Sequence, residues 1–119
     1  MVRSAIFALL VAAGVLASEP AHARRVHGAE IPVPSPPVPG DASGTRFVVQ
    51  KRFEQALRFL RRTYRRERGI VIEQLRTPLR VRAFVVRNTR RGRTWDAINL
   101  YEDEASRTVY LTVLPSERE

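Results

Sequence analysis

The sequence predicts a single α+β domain, with one long N-terminal helix packed on a three- to four-stranded antiparallel meander sheet in the order α-β-β-β-β. Two observations predict this fold class. Apolar residues recur every three or four positions between residues 45 and 69, which is the period of a helix with one buried face. After Gly69 the apolar period falls to two and the connections are short, which is typical of antiparallel strands.

The first 23 residues have the composition of a secretory signal peptide. A basic start is followed by an apolar run over residues 4–17, and Ala21-His22-Ala23 fits cleavage after Ala23. The run is shorter than the roughly 20 residues that a membrane-spanning helix needs. Cleavage after Ala17 and retention as an uncleaved anchor are the alternatives. We therefore expect a periplasmic or secreted bacterial protein with no transmembrane span in the mature chain.

Residues 24–44 are rich in proline and are predicted to form a linker. Prolines occur at positions 32, 34, 36, 37 and 39. Proline fixes φ and has no amide donor, so this stretch cannot join a helix or the interior of a sheet. We expect a disordered or polyproline II linker that ends where a domain over residues 45–119 begins.

The predicted helix runs from Thr45, a suitable N-cap residue, to Gly69, which suits the position after a helix end. Arginines alternate with apolar residues along it and lie on its other side, where positive charge near the C-terminus favours the helix dipole. We interpret the arginine-rich segment 58–68 as a solvated outer face rather than a polyanion site. The apolar stripe consists of Val49, Phe53, Ala56, Leu57, Leu60 and Tyr64.

Four strands are predicted after the helix, over residues 70–75, 79–88, 94–102 and 107–114. The loops 90–93 and 103–106 predict that Thr89 pairs with Thr94, and Glu102 with Arg107. Ala83 then lies opposite Leu100. This register gives an aliphatic wall beneath the helix, formed by Val81, Ala83, Val85, Ile98, Leu100, Val109, Leu111 and Val113.

The opposite wall is predicted to carry aromatic and basic side chains, whereas a one-sided antiparallel sheet normally exposes polar residues. This contrast predicts a partner-binding surface. The alternatives are that the proline tail, a C-terminal segment or a second copy of the chain covers the wall, the last giving a homodimer through the sheet face. The candidate binding residues are Arg80, Arg82, Phe84, Trp95, Asn99, Tyr101 and Tyr110.

Several classes of chemistry are excluded from the predicted domain. The chain has no cysteine, and its two histidines, His22 and His27, precede residue 45. Disulfides, thiolate sites and histidine-based triads are therefore ruled out there. The acidic residues 102–104 lack the spacing of a calcium loop, and Gly92 stands alone rather than in a phosphate-binding loop. We expect no catalytic residue, no cofactor and no metal, and hence no enzyme.

The net charge of +9, from 21 Lys+Arg against 12 Asp+Glu, favours an anionic partner. We expect a small extracytoplasmic binding module for an envelope protein, a glycan or an anionic surface. Binding of single-stranded nucleic acid or another polyanion is the first alternative, because aromatics interleaved with arginines suit base stacking; the export signal argues against nucleic acid. A secreted protease inhibitor is the second, because a helix followed by a meander resembles the cystatin-like arrangement in outline, although no inhibitor motif accompanies it.

Overall fold

A computed structural model describes residues 23–75 and 82–117 of the chain. The elements are β1 (Ala23–Val26), β2 (Ala29–Pro32), β3 (Arg46–Val49), α1 (Phe53–Tyr64), β4 (Ile70–Leu75), β5 (Ala83–Asn88), β6 (Trp95–Glu102) and β7 (Val109–Pro115). A two-stranded hairpin, β1-β2, accompanies a five-stranded antiparallel sheet in the order β3-β7-β6-β5-β4. The α+β class and the antiparallel meander are confirmed, but the sheet has more strands than predicted and the helix is 12 residues rather than long.

The helix is shorter than predicted because its expected first turns form β3. Phe47 and Val49 pair with β7 and are almost fully buried there. The sequence of β3, Arg-Phe-Val-Val, combines aromatic and β-branched residues that fit a pleated surface. The helix starts after Arg52, whose N–H donates to the Gln55 Oε1 atom at 3.1 Å.

The helix also ends earlier than Gly69, which belongs to the turn before β4. Gly69 has φ +81°, a left-handed conformation that glycine adopts without steric cost. Its carbonyl accepts hydrogen bonds from both the N–H and the hydroxyl of Thr89, each at 2.8 Å. The glycine therefore starts the pairing of β4 with β5 instead of capping the helix.

The hydrophobic core lies between α1 and the inner face of the five-stranded sheet. The helix buries Phe53, Ala56, Leu60 and Tyr64, which recur at the spacing expected for one helix face. The prediction of these four positions is confirmed. The sheet contributes Phe47, Val49, Phe84, Val86, Ile98, Leu100, Val109, Leu111 and Val113.

The register between β5 and β6 differs from the prediction by one residue. Ala83 lies opposite Tyr101, where the sequence predicts Leu100. Because side chains alternate along a strand, a one-residue difference exchanges the two faces of β5. Ala83 and Val85, which are predicted to face the helix, therefore lie on the outer face, while Phe84 faces the core.

The register between β6 and β7 differs from the prediction by two residues and so preserves the faces. Glu102 lies opposite Val109 instead of Arg107. An even difference leaves every side chain on its predicted side. Ile98 and Leu111 accordingly point inward and are fully buried, as predicted. Val81, assigned to the same wall, lies outside the described residues.

A β-bulge at the start of β6 places Trp95 on the inner face. The irregularity falls between Trp95 and Ala97, which pair with Pro115 and Leu114. A bulge adds one residue to a strand and so changes the side to which the preceding residues point. The Trp95 side chain is 3% exposed, and its ring lies 5.4 Å from that of Tyr64.

The β1-β2 hairpin lies within the segment predicted as a linker. His27 and Gly28 form its turn with φ values of 51° and 90°, a pair of positive angles typical of tight hairpins. The His27 carbonyl accepts a hydrogen bond from the Thr94 hydroxyl at 2.6 Å. Ala29 and Ile31 are fully buried in the core. This part of the segment is therefore folded, because its apolar residues bury surface that α1 leaves open.

The proline segment, residues 34–38, runs along the free edge of β3. Pro36 and Pro34 accept hydrogen bonds from the N–H groups of Val48 and Gln50, at 2.8 and 3.0 Å, and Pro37 forms an isolated bridge with Phe47 in β3. Proline carbonyls can accept although the ring nitrogen cannot donate, so such a segment is restricted to a sheet edge. The segment is extended, as expected, but it is bound to the domain.

Tyr64, the last residue of α1, connects the helix to the hairpin. Its hydroxyl donates to the Glu30 carbonyl at 3.0 Å and accepts from the Glu30 N–H at 2.6 Å. The side chain is 4% exposed, and burial raises the pKa of Tyr64 to about 12. One phenol thus satisfies both backbone polar groups of a residue in β2.

We expect Tyr64→Phe to lower the free energy of unfolding by about 1–3 kcal/mol, because the Glu30 N–H and carbonyl lose their shared partner. Urea denaturation at neutral pH measures the loss. Tyr110→Phe is the matched control, since Tyr110 lies on the outer face and is half-buried there. Equal effects of the two substitutions would show that the Tyr64 bridge adds no stability.

Raising the pH should destabilise the fold between about pH 10 and pH 12, because the Tyr64 pKa is about 12 in the folded chain against about 10 in the unfolded chain. The neutral phenol is fully retained in both states below about pH 10, so the stabilisation is complete there and is lost as the pH rises through both values. Stability curves of the wild type and Tyr64→Phe measure this effect. The decline should be smaller in the variant, and parallel curves would contradict it.

Candidate functional site

Three of the seven predicted site residues lie together on the outer face of the sheet. Asn99, Tyr101 and Tyr110 point away from α1 on the central strands β6 and β7. The two tyrosine rings stack with their centroids 5.1 Å apart and their planes at 23°. This geometry is a cross-strand aromatic pair, which stabilises a sheet even when no ligand is bound.

Two other predicted site residues lie beneath the helix, and this part of the prediction is wrong. Phe84 and Trp95 are 7% and 3% exposed. The Phe84 ring packs against Phe53, with 5.8 Å between the centroids, and Trp95 packs against Tyr64. The one-residue register difference moves Phe84 inward, and the bulge moves Trp95. Neither ring is available to stack on a partner.

The predicted arginines do not join the tyrosines either. Arg82 precedes β5 and forms an ion pair with Glu54 of α1, and its guanidinium lies 5.8 Å from the centroid of the Phe53 ring. The hydrogen bond from Arg82 holds the pKa of Glu54 below its usual value. Arg80 lies outside the described residues. The aromatic and arginine site is therefore not assembled as the sequence predicts.

The outer face retains an apolar character in the described part of the chain. Val71, Leu75 and Leu114 are 45%, 37% and 42% exposed. A shallow groove of about 480 Å³ passes over β4, β5, β6 and β7, with Val85 and Ala97 among its lining residues. Aliphatic residues thus replace two of the four rings that the sequence predicts on this face.

A second surface is built by α1 on the side opposite the core. Five exposed arginines, three from α1 and two from the turn that follows it, line one shallow groove of about 810 Å³. The helical period of 3.6 residues brings them to one side, because the apolar residues between them occupy the other side. We call this surface the arginine face; it consists of Arg58, Arg61, Arg62, Arg65 and Arg66.

The carboxylates beside the arginine face are already engaged by arginines from elsewhere in the chain. Glu54 pairs with Arg82, and Glu67 accepts from Arg90 at 3.3 Å. Within residues 23–75 and 82–117, the ion pairs within 4.0 Å include none formed by the arginine face. Arg61 lies over the Phe84 ring at 5.3 Å from its centroid. The helix therefore presents guanidinium groups whose charge no nearby carboxylate neutralises.

Guanidinium groups in this arrangement can bind carboxylate, sulfate or phosphate oxygens. The planar fork of each arginine donates two parallel hydrogen bonds to such groups. The sequence shows the arginines and their spacing, but we interpret them there as a solvated face. The engagement of Glu54 and Glu67 by arginines that flank β5 could not be read from the sequence, since it depends on tertiary contacts.

The described residues contain no cluster of three or more His, Asp or Glu side chains that could hold a metal ion. A search of the same ranges finds no helix with the length and apolar character needed to cross a bilayer. Comparison with protein-family models, with curated proteins and with solved structures finds no match to this chain.

We expect Trp95→Ala to lower the free energy of unfolding by about 3–5 kcal/mol, because it leaves a cavity beneath the helix. Tyr101→Ala should cost less than about 2 kcal/mol, since its ring is half-buried on the outer face and loses one stacking contact. Chemical denaturation of the two variants measures the difference. Similar losses would contradict the inward position of Trp95.

Proposed function

We propose that this protein is a small extracytoplasmic binding module that holds an anionic partner on the arginine face of α1. The observation that carries the proposal is the set of five exposed guanidinium groups with no carboxylate within 4.0 Å among the described residues. Clustered like charges repel one another, and an anion bound between them removes that repulsion.

The signal-peptide composition of the first 23 residues supports an extracytoplasmic location. Anionic groups at the cell envelope include carboxylates of proteins and acidic glycans, and both suit bidentate binding by arginine. The overall charge of +9 would also accelerate the encounter with such partners.

Binding of single-stranded nucleic acid has less support than the sequence suggests. A single-strand platform uses exposed aromatic rings on which successive bases stack. Phe84 and Trp95 are buried, and Tyr101 and Tyr110 stack on each other. Positive charge is then the feature that still favours nucleic acid, and it favours an acidic protein equally.

Poly-glutamate provides a direct test, because it supplies carboxylates without bases or sugars. We expect the triple variant Arg58→Gln/Arg62→Gln/Arg66→Gln to bind labelled poly-glutamate about tenfold more weakly at low salt. This estimate assumes about 0.5 kcal/mol for each exposed charge pair. Fluorescence anisotropy measures the affinity, and circular dichroism checks that the fold is retained.

The control is Arg25→Gln/Arg46→Gln/Arg91→Gln, which removes the same charge from three exposed positions outside α1. We expect this variant to lose less than half as much binding free energy as the first triple variant, since its arginines do not cluster. Equal losses in both variants would mean that net charge alone attracts the probe, and the proposal would fail.

A further inference from the structure

The strand β4 forms one edge of the five-stranded sheet. Its partner is β5, and no described strand pairs with its other side. None of its six residues is buried: four are exposed and two are half-buried, and Val71 is 45% exposed. An unprotected edge strand offers backbone donors and acceptors to an incoming strand.

The hydrogen-bond pattern of the sheet shows which groups of β4 point off the edge. The Arg82 carbonyl accepts a hydrogen bond from the Glu102 N–H at 3.0 Å. Backbone hydrogen-bonding groups alternate sides along an antiparallel strand, so the even-numbered residues of β5 bond to β6 and the odd-numbered residues bond to β4. The β4 residues opposite those odd-numbered positions are Val71, Glu73 and Leu75. By the same alternation, the N–H and carbonyl groups of Ile72 and Gln74 point away from the sheet.

The helix side of this edge is a groove with arginines on its helix wall and isoleucines on its strand wall. Arg61, Tyr64, Arg65, Ile70 and Ile72 line a space of about 500 Å³. Arg61 and Arg65 belong to the arginine face and have no carboxylate partner within 4.0 Å among the described residues. An acidic side chain pointing to the helix side from an added strand would reach these guanidinium groups.

The outer side of the same edge is apolar. Val71 and Leu75 are exposed there, and Glu73 between them is already paired with Arg87 at 2.9 Å. An aliphatic side chain on an added strand would cover Val71 or Leu75. The two sides of the edge therefore favour opposite residue types, and a strand alternates its side chains between them.

We propose that β4 binds an extended polypeptide segment of alternating acidic and aliphatic residues as an added antiparallel strand. This inference rests on the proposed function, because it names the anionic partner of Arg61 and Arg65. The acidic residues face α1, and the aliphatic residues cover the outer face. Main-chain hydrogen bonds to Ile72 and Gln74 hold the segment, and the alternation gives specificity.

A second copy of the chain fits this edge less well. Antiparallel pairing of β4 with β4 of another copy joins the two sheets and brings both helices to one side. The Arg61 and Arg65 side chains of both copies would then flank the junction, where like charges repel. Charge complementarity therefore favours an acidic segment of another protein over self-association.

The test uses capped synthetic peptides that alternate valine and aspartate, titrated into the full-length mature protein and followed by fluorescence anisotropy. In an antiparallel pair, residues that face each other on one side exchange both hydrogen bonds. The aspartate residues lie opposite Ile72 and Gln74, so their amides bond to β4. N-methylation of the aspartate amides should weaken binding tenfold or more, and N-methylation of the valine amides should change it less than threefold.

Equal binding of the two methylated peptides would overturn strand addition, and loss confined to the valine-methylated peptide would overturn the antiparallel arrangement. A peptide of the same composition with all aspartates before all valines should bind at least tenfold more weakly. A mature protein that sediments as a dimer and does not bind the alternating peptide would assign the edge to a second copy, which also overturns the proposal.

Protein variants separate this inference from the proposed function. Arg61→Gln/Arg65→Gln should weaken binding of the alternating peptide at least fivefold. The triple variant of Arg58, Arg62 and Arg66 should change its affinity less than twofold. If poly-glutamate binding responds to the triple variant but the alternating peptide does not bind, the arginine face stands and strand addition fails. If methylation of the aspartate amides alone weakens peptide binding, but the triple variant binds poly-glutamate as the wild type does, strand addition stands and the broader arginine face fails.

Discussion

The fold depends on burying the inner face of the five-stranded sheet, which is too large for α1 to cover by itself. The strands of the meander contain six to eight residues and are therefore about 20–26 Å long, whereas a helix is about 10 Å across. The β1-β2 hairpin covers the remaining core with Ala29 and Ile31. Tyr64 connects α1 to the hairpin through its hydrogen bonds to Glu30, so the helix, the hairpin and the sheet form one core.

Much of the fold follows from patterns that the sequence displays. The helix stripe was predictable because it follows the apolar period of a helix, and the strand Ile70–Leu75 because three β-branched residues follow Gly69. The inward positions of Ile98 and Leu111 were also predictable, because loop lengths that are wrong by an even number preserve the faces. The start of the helix was not predictable, because Phe47 and Val49 fit both a helix stripe and a strand. Long-range pairing with β7 decides between the two.

The candidate site was less predictable than the fold because it depends on single-residue details. A one-residue change in the β5-β6 register moves Phe84 to the core, and a bulge moves Trp95 there. Neither feature leaves a mark in the local sequence. The hairpin was not predicted because of the proline-rich stretch that starts at its last residue: local composition indicates a linker, whereas the burial of Ile31 depends on α1 and the sheet.

The distribution of charge links the fold to the proposed binding surface. Arg82 and Arg90, which flank β5, reach the carboxylates of Glu54 in the first turn of α1 and of Glu67 just after its end. These pairs are exposed, so solvent screens them and they contribute little to stability. Their larger effect is to withdraw the negative charges that would otherwise neutralise the helix. Basic character is thereby concentrated on α1 and extends to the edge at β4.

The proline segment along β3 limits how copies of this protein can assemble. On the side facing away from β3, Pro37 has no N–H and the Ser35 carbonyl accepts from Arg24 at 3.5 Å, so this border offers a poor template for further strands. The sheet can therefore lengthen in one direction, through β4. If two molecules paired through β4, proline segments would lie at both outer edges of the joined sheet and would block the addition of further strands. Assembly would therefore stop at closed pairs and would not continue to fibres.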